Sequence, residues 1–469
     1  MDTIEKIKKQ KKIHPPRIIF FSYLCAVIIG ALLLELPMST TGPGRLNFID
    51  ALFLSTSATC VTGLVVKNIG SDLTTFGQMV MLILIQIGGL GIMTLSTFYL
   101  MILGKRISMK NQLIIRDTLD KTKGISVNKL VKSVLLFTFT TEFLGAFLLF
   151  IRFKVSDNPV LPYGSDFQIA YYSIFHSISA FCNAGFTLFS KNMEAFSNDN
   201  FVVLTMTVLI ILGGLGFLVV FNLQNLKFWK KDRTLKGKLS LHSKVVLIST
   251  ATLLIFGAMI IGSIEWDNTF KDFTLAEKMQ SAFFCSATPR TAGFNIIDTN
   301  SMKTATLFFM MFLMFIGASP GSTGGGIKTC TLAILVATTY SIIKGNPNVT
   351  VFKRTVPQRV VQEAISIVVI SVYIVLISTT LLLITEQTSE VRNMVANGYL
   401  VKVLFEVISA FGTVGLSTGI TPYLSLAGKF LIIIIMLVGR ISPLAIALIV
   451  GKREDYPSIK YPEETVMVG

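Results

Sequence analysis

Ser57-Ala58-Thr59-Cys60-Val61-Thr62-Gly63-Leu64 is the first of four related stretches in the chain. The others are Ser179-Ala180-Phe181-Cys182-Asn183-Ala184-Gly185-Phe186, Ser286-Ala287-Thr288-Pro289-Arg290-Thr291-Ala292-Gly293-Phe294 and Ser409-Ala410-Phe411-Gly412-Thr413-Val414-Gly415-Leu416. Aligned on Ser-Ala, the third carries one inserted residue. The glycines recur at intervals of 122, 108 and 122 residues. Fourfold recurrence at such a period is the mark of a duplicated structural unit.

Each stretch follows a short, semi-apolar segment: Leu46–Thr59, Phe167–Cys182, Leu275–Thr288 and Val395–Gly412. None has the roughly 20 residues that a membrane-spanning helix needs. Eight longer apolar stretches do, near 18–37, 78–103, 131–151, 202–225, 245–264, 304–343, 360–385 and 427–450. The short segments therefore read as re-entrant helices that dip into a bilayer and return on the same side. Of the 469 residues, 52% are hydrophobic and 14% charged, against about 25% charged in a soluble domain. That composition excludes a cytosolic enzyme, a disordered tail and a disulfide scaffold.

The expected fold is an all-α integral membrane protein. Eight transmembrane helices and four re-entrant pore helices form four helix–pore loop–helix repeats around a pseudo-fourfold pore. The units span 18–103 (pore loop 46–66), 131–226 (pore loop 167–188), 245–343 (pore loop 275–296) and 360–451 (pore loop 395–418). A cytoplasmic arm, 1–17, cytoplasmic loops 104–130, 227–244 and 344–359, and a tail, 452–469, complete the chain. Lys and Arg set the sides: 28 fall on the arm, inter-unit loops and tail, and 12 on the opposite face. Both termini are thus expected in the cytoplasm of a cell (plasma) membrane protein. The run from Pro16 to Pro37 behind a basic arm reads as a first span, not a cleaved leader. Five cysteines without C-x-x-C spacing and three scattered histidines suggest neither disulfides nor a metal site.

Converging loops of this kind suit a cation. A half-helix entering from outside directs its partially negative C-terminal end at mid-membrane. Glycine then allows φ > 0, so carbonyl oxygens can face the axis and replace a hydration shell. Irregular backbone at this depth is tolerated where it lines a wet path or is buried in protein. The expected ion-binding filter comprises Val61, Thr62, Gly63, Asn183, Ala184, Gly185, Thr291, Ala292, Gly293, Thr413, Val414 and Gly415, with potassium at the carbonyls. Further glycines, Gly88, Gly213, Gly317 and Gly439, follow the filter glycines by 25, 28, 24 and 24 residues. Close helix packing accounts for those of the first, second and fourth units.

The third unit differs. Gly317-Ala318-Ser319-Pro320-Gly321-Ser322-Thr323-Gly324-Gly325-Gly326 is a sequence that no continuous helix would choose. It reads as an intramembrane loop, 317–329, joining two half-helices under the filter. The expected gate comprises Gly317, Ser319, Gly321, Ser322, Thr323, Gly324, Gly325, Gly326, Lys328 and Arg440. Ile327 breaks the Gly-Lys adjacency of a phosphate-binding loop, which argues against a nucleotide site. Arg440, inside the last span, has two compatible readings: it projects into an aqueous cavity and limits cation residence, and it braces the gate loop through carbonyl hydrogen bonds. Arg290 reads as packed behind the third filter and Glu142 as isolated. Asp50, Asp166, Glu277 and Glu406 lie near the re-entrant helices, where acids at helix N-termini suit the dipole and draw cations. No catalytic constellation is present.

The four single-glycine loops, the Gly/Ser/Thr-rich break and the arginine of the last helix resemble the Trk/Ktr/HKT potassium transporter superfamily over essentially the whole chain. The short N-terminus and eight-span length are most similar to its KtrB-type branch of bacterial Ktr membrane subunits. That resemblance implies a homodimer with one pore per protomer and potassium uptake, stimulated by sodium. It implies a cytosolic octameric, Rossmann-type regulatory ring (KtrA-like) that senses ATP and ADP, leaving this chain without an organic cofactor. Four filter glycines match the potassium-selective pattern of the superfamily. The competing expectation is a sodium-conducting or sodium-coupled transporter of the same fold.

Overall fold

The structure is a computed structural model that describes residues 15–42, 44–91, 127–156, 158–161, 165–224, 239–387, 391 and 398–441. The expected arm, much of the loops 104–130 and 227–244, residues 92–103 and 442–450 of two expected spans, and the tail lie outside the described residues.

Apart from a two-residue hairpin, Thr350–Val351 (β1) with Arg354–Thr355 (β2), the described regular structure is helical. The first unit has α1 (Pro15–Glu35), α2 (Phe48–Thr59) and α3 (Thr75–Leu90). The second has α4 (Val127–Val155), α5 (Asp166–Phe181), α6 (Asn200–Gly214) and α7 (Phe217–Gln224). The third has α8 (Leu241–Glu265), α9 (Leu275–Ala287), α10 (Thr304–Ile316) and α11 (Thr329–Ile343). The fourth has α12 (Gln358–Thr385), α13 (Tyr399–Gly412) and α14 (Leu426–Ile441). Among them α4, α8 and α12 are long and apolar enough to cross a membrane, as are α6 and α7 taken together.

The helices close into a ring. Within each unit the first helix packs on the short one: α1 on α2, α4 on α5, α8 on α9 and α12 on α13. Each unit's outgoing helix then meets the short helix of the next unit: α3 on α5, α6 on α9, α10 on α13 and, closing the circle, α14 on α2. At that last joint the Lys429 ammonium lies 2.7 Å from the Asp50 carboxylate, both nearly buried.

Small residues set the spacing. Ser55, Ser177 and Ser286 on the short helices donate to the carbonyls of Val27, Glu142 and Leu254 on the first helices, at 2.7, 2.7 and 2.8 Å. Gly30, Gly145 and Gly257 face those hydroxyls, where a Cβ would collide with each oxygen. On the outgoing side, a Cβ at Gly88, Gly213 or Gly439 would fall onto the last carbonyls of its own short helix, those of Thr59, Phe181 and Phe411.

Two expectations change. Ser286 shares its role with Ser55 and Ser177, not with Ser57 and Ser179. In this register the third turn is one residue shorter than the others, where the Ser-Ala alignment suggests an insertion. The expected single span over 202–225 is also broken, since α6 and α7 meet at 94°. Gly216 takes φ +90° at the bend, and the Phe217 N–H donates to the Gly321 carbonyl at 2.8 Å. Ser319 N–H donates to Gly214 O at 3.2 Å. The third unit's loop thus accepts and supplies the hydrogen bonds that the helix gives up at its break.

Adjacent glycines separate packing from flexibility. Gly213→Ala should destabilise by about 1–3 kcal/mol through overpacking, whereas Gly214→Ala, whose nearest contact would be the Asn183 side-chain amide at 3.5 Å, should be close to neutral. Thermal melting of the two variants in detergent checks this difference.

Candidate functional site: four turns around an axis

Three of the short helices end in the same cap. Val61 N–H donates to Ala58 O and Thr62 N–H to Ser57 O, at 3.0 and 2.7 Å. Asn183 and Ala184 repeat the pattern onto Ala180 and Ser179, and Thr413 and Val414 onto Ala410 and Ser409. This is the Schellman arrangement, which needs a left-handed residue and commonly uses glycine. Here the residue is Val61 (φ +57°), Asn183 (+58°) or Thr413 (+49°), and Thr291 (+77°) occupies the matching place in the third turn. Left-handed Val and Thr are uncommon and cost energy, as do strained residues at other functional sites.

Two residues on, the backbone is left-handed again at Gly63 (φ +98°), Gly185 (+70°), Gly293 (+73°) and Gly415 (+95°). The four glycines form a closed circuit in chain order. A Cβ on Gly63 would lie 2.6 Å from Ala184 O, and one on Gly185 would lie 2.9 Å from Ala292 O. One on Gly293 would strike Val414 O, and one on Gly415 would strike Thr62 O. The carbonyls of Thr62, Ala184, Ala292 and Val414 therefore ring the axis, each beside the glycine of the preceding turn. All twelve expected filter residues lie in these four turns.

Serine hydroxyls hold three turns shut. Ser57 Oγ accepts from Gly63 N–H at 3.1 Å and donates to Leu64 O at 2.8 Å. Ser179 Oγ does both with Phe186, at 3.1 and 2.7 Å, and Ser409 Oγ accepts from Gly415 N–H at 3.1 Å. In the shorter third turn Thr288 Oγ1 donates to Phe294 O at 2.5 Å. By contrast, the buried hydroxyls of Thr59, Thr62, Thr291 and Thr413 have no hydrogen-bond partner among the described residues. Buried polar atoms are ordinarily satisfied, so these are oxygens left available near the axis.

Directly against the turns lies the segment 317–328 between α10 and α11. A Cβ on Gly324 would meet Thr291 Oγ1, and one on Gly325 would meet Thr413 Oγ1. Gly317, Gly321 and Gly326 are left-handed, at φ +62°, +68° and +66°. Thr323 Oγ1 donates to Gly213 O at 3.3 Å, and Ser322 Oγ accepts from Gly324 N–H at 3.3 Å. Thr329 Oγ1 donates to Ser319 Oγ at 3.2 Å, and Lys328 Nζ donates to Gly324 O and Gly325 O at 2.6 and 3.2 Å. Arg440 donates one guanidinium nitrogen to Thr323 O and the other to Gly88 O. Of the two readings of Arg440, the carbonyl brace is the geometry present. All ten expected gate residues belong to this loop and its braces.

Opposite the loop, the turns open into a vestibule of about 690 Å³. Gly63, Gly185 and Gly415 form part of its floor, and Asp72, Glu194 and Asp298 part of its wall. Burial and the neighbouring Asp298 carboxylate push the Glu194 carboxyl above the usual carboxylate range. These three acids were not singled out in the sequence; each follows a filter glycine by five to nine residues. The acids that were singled out are otherwise engaged. Asp50 pairs with Lys429, Asp166 pairs with Lys154 at 2.7 Å, and Glu277 completes a capping box with Thr274. Glu406 is not at a helix N-terminus but at the middle of α13, fully buried. Nor is Glu142 isolated: Gln86 Nε2 donates to its carboxylate at 3.1 and 3.3 Å. Arg290 sits buried behind the third turn, with Nη2 3.4 Å from Thr250 Oγ1 on α8.

Comparison with known proteins adds a family. The profile of the cation transport protein family TrkH matches residues 27–459. The chain is similar to the Ktr system potassium uptake protein B of Bacillus subtilis, at 38% identity covering 99% of both chains. It is 39% identical to the protein of the same name from Vibrio alginolyticus, covering 97% of this chain and 95% of that one. In structure it is similar to the potassium transporter TrkH of Vibrio parahaemolyticus, with a TM-score of 0.72 at 16% identity, covering 94% of this chain and 86% of the other.

Arg440→Ala should release the 317–328 loop. Losing hydrogen bonds from a charged donor costs about 1.5–3 kcal/mol, so amide exchange at Thr323–Gly326 should speed up about tenfold or more. Hydrogen-exchange mass spectrometry in detergent reads this directly, with the hairpin 350–355 as an internal reference.

Proposed function

The chain belongs to the TrkH family of cation transport proteins, and from that premise we propose that potassium crosses it through the ring of Thr62, Ala184, Ala292 and Val414 carbonyls. It is a KtrB-type member of the Trk/Ktr superfamily and a multi-pass membrane protein, and its function is potassium uptake. The observation that carries the pore reading is the circuit of backbone contacts that begins at Gly63 and closes from Gly415 back to Thr62.

In this reading α2, α5, α9 and α13 are re-entrant helices in an eight-span chain, with both termini cytoplasmic. The asymmetry of 28 basic residues against 12 supports that orientation. Four helix C-termini then bring their partial negative charge toward one point. A cation leaving water there exchanges its hydration shell for carbonyl oxygens already held in place by Ser57, Ser179 and Ser409. Little reorganisation is needed when the ion arrives, and an ion that fits the ring poorly recovers less of its hydration energy. The vestibule acids raise the local cation concentration outside.

Below the ring, the 317–328 loop is the gate. Its glycines abut the third and fourth turns, so a conducting state requires the loop to move. The Arg440 and Lys328 charges beside it oppose a cation while the loop is in place. The basic inner face supports docking of a cytosolic Rossmann-type ring, octameric and KtrA-like, which carries the ATP or ADP that works the gate. A homodimer with one pore per protomer, and stimulation by sodium, belong to the same proposal.

Cation flux into liposomes holding this chain, with and without its cytosolic partner, tests the pore. Potassium and rubidium should enter while sodium is largely excluded. Gly63→Ser should lower the potassium-to-sodium ratio by about tenfold, equivalent to roughly 1.4 kcal/mol; an unchanged ratio would sink the filter assignment. Deleting Gly324–Gly326 should raise basal flux, and flux that is unchanged or lower in a normally assembled protein would count against the gate.

A further inference from the structure

Glu406 and His176 occupy the same place in opposite turns. Each is nine residues before its glycine, Gly415 or Gly185, and each is fully buried behind the turn. Each reaches past the glycine to the hydroxyl two residues beyond it. Ser417 Oγ donates to Glu406 Oε2 at 3.0 Å, and Thr421 Oγ1 donates to Oε1. His176 Nε2 lies 3.1 Å from Thr187 Oγ1 and accepts from Leu188 N–H at 3.4 Å. Because Nε2 is an acceptor, the proton sits on Nδ1, which donates to Tyr172 O at 2.7 Å. The imidazole is stacked on Phe189 with ring centroids 4.5 Å apart, so its direction is fixed.

The other two turns lack this device. Leu54 stands at the corresponding position of the first, facing a chain whose residue beyond the glycine is Val65. In the third, one residue shorter, the position is Cys285, and the strand is held from outside instead. There Asn295 Nδ2 donates to Glu194 at 3.1 Å, and Met193 N–H donates to Asn295 O at 3.0 Å. Since the turns follow one another in chain order around the axis, the second and fourth face each other across it. All four turns have a hydroxyl clasp, but only along one diagonal does a second buried polar side chain of the short helix, His176 or Glu406, also hold the hydroxyl two residues beyond the glycine.

We propose that His176 and Glu406 are positioning residues for ion selection: by holding Thr187 and Ser417 they fix the width of the carbonyl ring along the diagonal joining the second and fourth turns. A buried, satisfied polar network restricts motion more than apolar contact does. The strands it holds carry Gly185 and Gly415 two residues from the anchored hydroxyls. Along the other diagonal the ring keeps some freedom to adjust as an ion passes. The inference rests on the pore reading above and deepens it, assigning selectivity to two side chains that do not touch the ion.

The test is competitive potassium and sodium uptake by proteoliposomes, with melting in detergent as the fold check. Glu406→Leu and His176→Leu, which install the residue of the first turn, should each cut the potassium-to-sodium ratio by about tenfold. Glu406→Gln keeps an acceptor for Ser417 and should stay within about twofold of the parent. Should the leucine variants fail to fold, Ser417→Ala and Thr187→Val remove the same hydrogen bonds from the vestibule side, and the same fall is expected. Parental ratios in folded variants that lack these bonds would overturn the inference and leave the pore reading standing. A parent chain that admits sodium as freely as potassium would instead bring down the potassium selectivity assigned to the ring, and this inference with it.

Discussion

The closest approaches at the axis are made by backbone alone. A Cβ on any of Gly63, Gly185, Gly293 or Gly415 would lie against a carbonyl oxygen of a neighbouring turn. Every larger feature follows from keeping four chains that near. The short helices must end before the axis, and they end in left-handed residues because the chain has to reverse within two or three peptides. The outgoing helices must pass under those ends, which requires glycine where Gly88, Gly213 and Gly439 cross the last carbonyls. Carbonyl groups forced together in this way repel one another unless a cation lies between them, so the fold's tightest constraint and its ion preference have the same origin.

Support for that ring is uneven, and the unevenness is chemical. Three turns are closed by a serine hydroxyl and one by a threonine. The third unit contributes the irregular loop, and its neighbours have adapted to it. The second unit breaks its outgoing helix at Gly216 to exchange backbone hydrogen bonds with it, and the fourth supplies Arg440 to hold it. A pseudo-fourfold scaffold has in this way acquired one obstructed side without losing its closed ring.

Much of this was legible in the sequence. Glycine register, the apolar short segments and the Gly/Ser/Thr-rich run of the third unit are local signals, and they place the twelve turn residues and nine loop residues together. What was not legible depends on partners distant in sequence. Ile211-Leu212-Gly213-Gly214-Leu215-Gly216-Phe217 reads as a continuous span because the loop that replaces its hydrogen bonds lies about 100 residues on. Ser286 follows the Ser-Ala pattern by composition, yet its hydroxyl belongs to Leu254, so the apparent insertion is a deletion. Glu142 looks isolated until Gln86 is brought to it from another helix. Left-handed Val61 and Thr413 run against their residue types, and only the crowding of the ring accounts for them.

The ion pair between Asp50 and Lys429 has a temporal consequence. Its partners are 379 residues apart in sequence. At a synthesis rate of roughly 5–20 residues/s, Asp50 leaves the ribosome about 20–80 s before Lys429 exists. During that interval three units can assemble side by side, but the circle has a gap where α14 will meet α2. The Asp50 carboxylate waits in that gap without the ammonium that pairs with it in the finished ring. Among the described helices α14 is made last, and it is the one that closes the circle, bringing an ammonium to a carboxylate laid down in the first unit.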